Sequence, residues 1–230
     1  MTATTSAIFD ARWFAENLGN PGSIALVGNG SSIGERSHGR DIDAADVVIR
    51  MNAFIINNAD TTGTRTDCWG SNMLATRRVD ELRSLGVRAV LGARPASEKH
   101  AFNVALTRLQ RTCRELEGLP LALVSEADFD DLYRRLGLVP GKRDGRNPST
   151  GLALVAVLLA HLPAAQIRCY GFDMFDSGAP FHYFADPVYN RTGATERVHR
   201  YHDPSREVEI LRHFEHAAAG RLQLHGRRFD

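Results

Sequence analysis

The sequence predicts an α/β fold: a single Rossmann-like domain with a mostly parallel sheet and helices on both faces. Three observations carry this reading. Short apolar runs recur at residues 24–28, 46–50, 88–92, 121–125 and 167–171. The intervals between them leave room for helices, which is the pattern of strands buried on both faces. The first run ends in a glycine turn, Gly28-Asn29-Gly30. A length of 230 residues suits one sizeable α/β core and would be a squeeze for two.

The first run, Ile24 to Gly28, reads as a buried first strand and the run ending at Arg50 as the second. Helices are expected at 77–85, 97–117, 128–136, 149–162 and 204–219, and a last strand at 221–224. Residues 1–22 read as an N-terminal extension. Two segments break the rhythm. Residues 139–147 are polar with Pro and Gly, and read as a mobile loop. Residues 173–203 show no convincing period, which is long for a connection inside a compact domain. Phe175, Phe181, His182, Tyr183, Phe184 and Tyr189 argue against disorder there. An ordered active-site loop is expected.

Composition excludes several classes. A formal net charge of +1 gives no support for nucleic-acid binding, which would show as a basic excess. The cluster Lys142, Arg143 and Arg146 suits a local anion or simply a solvated loop. Cys68, Cys113 and Cys169 are odd in number and lack metal-site spacing, so a reduced compartment fits. The chain start lacks the pattern of a signal peptide. The longest apolar stretch, 152–162, is half of what a membrane span needs and contains His161. A soluble, cytoplasmic protein is expected.

Beyond the first strand, small residues from Gly28 to Gly34 could let backbone N–H groups approach an anion. A tight structural turn is as good a reading. The dinucleotide fingerprint fails: its third glycine is one place late, at Gly34, and Asn52 stands where a ribose-binding acid is needed after the second strand. Asn29 and Asn52 would lie at strand carboxyl ends, where their amides could donate to phosphate or ribose. Both could equally cap turns.

At this point a family resemblance enters. The segments 25–29, 39–43, 46–52 and 63–67 resemble the large sialyl motif of the animal-type sialyltransferases (glycosyltransferase family 29-like). Pro148-Ser149-Thr150-Gly151, an apolar helix and then Cys169 to Phe172 resemble the small motif. Residues 181–184 resemble the third, and His202 with Glu207 matches the H-x-x-x-x-E of the very small motif. Four motifs occur in order, from about residue 24 to 207. The resemblance implies a variant GT-A fold and an inverting, metal-independent transfer. An acidic sugar, sialic acid or a relative such as Kdo, would move from a CMP donor to a glycan or glycolipid acceptor. In animal members a disulfide joins the large and small motifs; Ile24 and Ala164 stand at those positions, so the resemblance implies no bridge here. The Golgi-type anchor and stem are also missing, which reads as a compact, bacterial-looking member, cytoplasmic or peripheral at the inner membrane face.

The resemblance also implies roles. His202 is the expected general base, with Glu207 supporting it by hydrogen bonding; the bland reading is a surface pair at a helix N-terminus. His182 is the expected partner of the leaving phosphate, with Tyr183 beside it; otherwise it is a half-buried loop histidine. Gly28, Asn29, Gly30, Asn52, Ser149, Thr150, Gly151, Phe172 and Tyr183 are expected to bind the donor. Ser149 or Thr150 would also cap a helix. No cofactor is expected. No metal is expected either: Asp41-Ile-Asp43 lies too early for a metal-binding D-x-D, and His199-x-x-His202 and His213-x-x-His216 are incomplete sets. Two other readings stay open: a catalytically silent nucleotide-binding module, and a Rossmann-type oxidoreductase.

Overall fold

The computed structural model describes residues 7–74, 77–97, 106–140, 145–176, 178–186 and 194–229. Eight strands form one sheet: β1 (Ala7–Ile8), β2 (Ser23–Val27), β3 (Val47–Met51), β4 (Cys68–Ser71), β5 (Ala89–Gly92), β6 (Leu121–Leu123), β7 (Gln166–Tyr170) and β8 (Leu222–His225). The helices are α1 (Ala11–Leu18), α2 (Gly39–Asp43), α3 (Ala59–Thr62), α4 (Val79–Ser84), α5 (Leu106–Glu115), α6 (Glu126–Arg135), α7 (Thr150–His161), α8 (Ala194–Tyr201) and α9 (Pro204–Ala217).

Strand order is β1-β6-β5-β4-β3-β2-β7-β8, and every pairing is parallel. Parallel strands require crossovers that cover both faces. Alternation along β2 and β3 shows the result. Ile24, Leu26, Val47 and Ile49 face one core with Phe14, Phe129, Leu154 and Leu211. Ala25, Val27 and Val48 face a second core with Ile33 and Ile42, while Trp69 and Val90 pack with Leu82 and Leu109. The expected α/β architecture is therefore present.

The order reverses around β2, which has β3 on one side and β7 on the other. Such a switch point opens a crevice at the strands' carboxyl ends. It also brings the first apolar run beside the fifth: Ile24 pairs with Ile167 and Val27 with Tyr170. The three cysteines are free.

Three expectations need correction. Residues 7–22 are not an extension, because Phe9, Trp13, Phe14 and Leu18 are buried in the main core. Strand β4, Cys-Trp-Gly-Ser, escapes the pattern because it has no apolar run, yet it is buried throughout. Segment 173–203 holds a helix, α8, buried through Ala194 and Val198. Of the polar loop at 139–147, Lys142 and Arg143 lie outside the described residues, whereas Asn147 is buried.

Candidate active site

A cavity of about 640 Å³ lies at the switch point. Its walls include Gly28, Asn29 and Gly30 beyond β2, Asn52 beyond β3, Ser149, Thr150 and Gly151 at the start of α7, and Phe172 beyond β7. His182 and His202 also line it. Ten of the twelve residues singled out from the sequence thus share one wall. Tyr183 and Glu207 do not line it.

The glycine turn works differently from expectation. Gly28 N–H donates to the Tyr170 carbonyl at 2.8 Å, and Gly30 N–H to the Gly171 carbonyl at 3.0 Å. Neither amide is available to cradle an anion. The glycines are needed instead for close approach: a Cβ on Gly30 would sit 2.5 Å from the Gly171 oxygen. Ser32 N–H is engaged too, donating to Asp173 Oδ2 at 2.9 Å. What the turn leaves for a ligand is Asn29. Its Nδ2 donates to the Met51 carbonyl at 3.1 Å, while its buried Oδ1 meets no partner among the described residues.

Asn52 ties the strands together. It adopts a left-handed φ of 50°, which asparagine tolerates. Its Oδ1 accepts from Asn72 N–H at 2.9 Å, its carbonyl accepts from Trp69 Nε1 at 2.8 Å, and its Nδ2 reaches Thr150 Oγ1 at 3.3 Å. Its side chain bridges separate elements and does not cap its own turn, and the residue lines the cavity. Ser149 caps α7, its side chain accepting from Leu152 N–H. Its own N–H donates to Glu207 Oε1 at 3.0 Å. The first N–H groups of a helix have no partner within it, so the cavity-lining α7 terminus presents an electropositive end to a ligand.

Glu207 is fully buried, so the surface-pair reading fails. Burial raises its carboxyl to about 8, against the hydrogen bonds from Ser149. Its Oε1 lies 3.7 Å from His202 Nδ1. That nitrogen is closer to the Asn147 carbonyl, at 2.9 Å, where it donates. Nε2 is then the basic nitrogen of the neutral ring. Burial lowers the imidazole to about 4, opposed by the Asn147 contact and helped by the charge of Arg94. Phe175 stacks on the ring at 5.3 Å and 10°. Met174 and Phe175 take φ of 46° and 57°, a strained turn that doubles the chain back toward the histidine.

His182 Nδ1 lies 2.7 Å from Asp186 Oδ2. Burial lowers its pKa and Asp186 opposes the shift. Tyr183, by contrast, points its hydroxyl at the Ile55 backbone, donating to the carbonyl and accepting from N–H at 3.1 Å. It latches the 181–184 segment to the chain beyond β3.

Several cavity residues carried no sequence signal. Asn147 N–H donates to the Tyr201 carbonyl at 2.8 Å, and its Oδ1 accepts from Tyr133 at 2.6 Å, which fixes the carbonyl that holds His202. Asp173 accepts from Ser32 and from Arg227 N–H at 3.1 Å, while Arg227 pairs with Glu35, so the chain beyond β8 braces the turn beyond β2. Arg94, Arg108 and Arg197 complete the wall. These residues come from separate stretches of the chain and meet only through the fold.

Of the metal readings, Asp43 is committed to structure. Burial acts to raise its pKa, but hydrogen bonds from Arg65 and Thr64 outweigh it and the net shift is downward. Among the described residues no group of three His, Cys, Asp or Glu side chains could hold a metal, and no helix is long and apolar enough to cross a membrane.

The fold, and a cavity at its strand-order switch, define a Rossmann-like α/β protein. Comparison with known proteins narrows this. Residues 20–90 match glycosyltransferase family 29 (sialyltransferase). The chain is 25% identical over 206 residues to the mouse type 2 lactosamine alpha-2,3-sialyltransferase, covering 81% of this chain and 60% of that protein. It shares its fold with a mammalian sialyltransferase (TM-score 0.58, 20% identity, 89% of this chain and 69% of that one). It also shares it with the sialyltransferase CstII from Campylobacter jejuni, solved with cytidine-5'-monophosphate (TM-score 0.54, 12% identity, 89% and 79%). The chain is therefore similar to the sialyltransferases of glycosyltransferase family 29, by a family match over residues 20–90. It spans about three-fifths of the curated mouse relative.

Proposed function

We propose that this chain is an inverting glycosyltransferase that moves an acidic sugar, sialic acid or a relative such as Kdo, from a CMP donor to a glycan acceptor, without metal or cofactor. The observation that carries the reading is His202: a neutral imidazole whose Nδ1–H is held by Asn147, leaving Nε2 as the basic nitrogen in a wall shared with the α7 terminus. The mouse and Campylobacter relatives support the donor class, the first by its name and the second by its bound nucleotide.

Two jobs define the chemistry, because CMP is already a good leaving group. His202 Nε2 takes the proton of the acceptor hydroxyl as that oxygen attacks the anomeric carbon. The transition state is oxocarbenium-like, by analogy with other glycosyl transfers. His182 faces the departing phosphate; the negative charge arriving there raises its pKa, so the ring held by Asp186 donates a hydrogen bond in its protonated form. Asn29, Asn52 and the α7 terminus supply uncharged donors and acceptors for the nucleotide. Glu207 does not touch substrate. It holds Ser149 at the α7 cap and closes the protein behind His202, which makes it a positioning residue.

The test is turnover of CMP-sialic acid and CMP-Kdo in the presence of a chelator, with His202→Ala as the variant. Transfer should continue with chelator and disappear in the variant, while calorimetry still registers CMP. Retained transfer in His202→Ala removes the assigned base. CMP binding with no product from either donor would mark a silent nucleotide module.

A further inference from the structure

The end of the chain reaches the cavity through one carboxylate. Phe172 N–H donates to the His225 carbonyl at 3.1 Å, which carries the pairing of β7 with β8 past both strands. Gly226 then lies so close that a Cβ on it would overlap the Phe172 carbonyl. This close approach sets Arg227 against Asp173. Arg227 N–H donates to Asp173 Oδ1 at 3.1 Å, and Arg227 Nε stands 3.7 Å from Oδ2. That Nε is buried and has no hydrogen-bond partner among the described residues, so the carboxylate is its electrostatic neighbour. The same guanidinium reaches Ser31 Oγ at 3.3 Å and pairs with Glu35.

Two properties of Asp173 make this more than a packing joint. Its carboxylate holds the turn beyond β2: Oδ2 accepts from Ser32 N–H at 2.9 Å, and a Cβ on Gly30 would sit 2.7 Å from Cγ. That turn carries Asn29, whose buried Oδ1 meets no partner among the described residues. Asp173 also lines the cavity, beside Gly28, Asn29 and Gly30, and is only 5% exposed. A desolvated carboxylate is costly unless it is paired and hydrogen-bonded. Left unbalanced, it would also repel a phosphate in the same cavity, more strongly than in water because the dielectric is low.

We propose that Arg227 is a positioning residue for the donor. It balances the Asp173 carboxylate and holds it against Ser32, so that the turn presents Asn29 and the cavity accepts an anionic nucleotide. Arg227 itself does not line the cavity and acts through Asp173. It lies beyond the last of the sequence motifs, which ends at Glu207. This role rests on the transferase reading above.

Substitution is the test, because Phe229 packs against the main core and truncation would disturb it. Calorimetry with CMP and with cytidine separates charge from shape. Arg227→Met should bind CMP about tenfold more weakly, and cytidine within about threefold of the unaltered protein. Arg227→Lys, which keeps the charge, should recover part of the CMP loss. With CMP-sialic acid as donor, KM of Arg227→Met should rise by about tenfold while kcat stays within about threefold. On an Asp173→Asn background, where there is no charge to balance, Arg227→Met should change CMP affinity by less than about threefold. That background also carries the test if Arg227→Met alone does not fold. Unchanged CMP affinity in Arg227→Met overturns the proposal. So does an equal loss of CMP and cytidine, or a loss that persists on the Asp173→Asn background. Failure of the transferase reading looks different: CMP binding with this charge dependence, but no product from any CMP-sugar, removes the enzyme and leaves the nucleotide role of Arg227 standing. An unaltered protein without CMP affinity overturns both.

Discussion

The Nδ1 atom of His202 lies 2.9 Å from the carbonyl oxygen of Asn147, a residue 55 positions away in the chain. One backbone oxygen therefore sets the tautomer of the ring, and the side chain of Asn147 is fixed in turn by the Tyr133 hydroxyl at 2.6 Å. Tyr133→Phe removes that anchor without emptying the core. Transfer should fall about three- to tenfold in kcat, since a net hydrogen bond is worth roughly 1 kcal/mol, with donor KM little changed. An unchanged kcat in that variant would show that Asn147 holds its place unaided.

Burial lowers His202 to about 4. A general base is active when deprotonated, so the acid limb of kcat/KM, which reports the free enzyme, should fall well below the ordinary histidine range. As pH is lowered from 6.5, kcat/KM should show no loss from protonation of this base until about pH 5. A limb centred near 6.5 would contradict the burial seen here.

Glu207 and His202 shift stability in opposite directions. Unfolded histidine binds a proton below 6.5 that the folded ring accepts only near 4, so folding weakens as pH falls through that interval. Folded Glu207 keeps a proton up to about 8 that the unfolded chain releases near 4.5, so its contribution is lost as pH rises through that interval. The two slopes offset one another between 4.5 and 6.5. A net loss of stability should then appear between pH 6.5 and 8. Glu207→Gln still accepts from Ser149 and should abolish that loss. Urea melts of both proteins across this range check it.

The turn beyond β2 offers a paired test. Gly30→Ala places a Cβ 2.5 Å from the Gly171 oxygen and 2.7 Å from Asp173 Cγ. It should destabilise the protein by about 1–3 kcal/mol, the usual cost of overpacking. Gly34→Ala meets nothing within 4 Å and should be nearly neutral in a thermal melt. Equal effects would mean that close packing is not what requires Gly30.

The five apolar runs made the central strands legible, because strands covered on both faces must be apolar almost throughout. Strand β4 and the edge strand β1 were not legible. Cys-Trp-Gly-Ser is buried by its neighbours and not by its own pattern, and two residues carry no period at all. In the site, His182, His202, Asn29, Asn52 and the α7 start stood out through the family resemblance. Arg94, Asp173 and Tyr133 did not, since each acts through a partner far away in the chain.

By itself the sequence determined the α/β class, a family resemblance and most of the cavity wall, because strand periodicity and short motifs are local properties. Tertiary structure alone decided how those residues work. Parallel pairing of β2 with β7 consumed the Gly28 and Gly30 amides, so the turn is a packing joint and not an anion cradle. Burial turned Glu207 from a surface acid into a support behind Ser149. Three arginines, from beyond β5, from α5 and from α8, converged on one cavity. Hydrogen-bond availability, desolvation and charge convergence are sums over neighbours, and the neighbours exist only once the chain has folded.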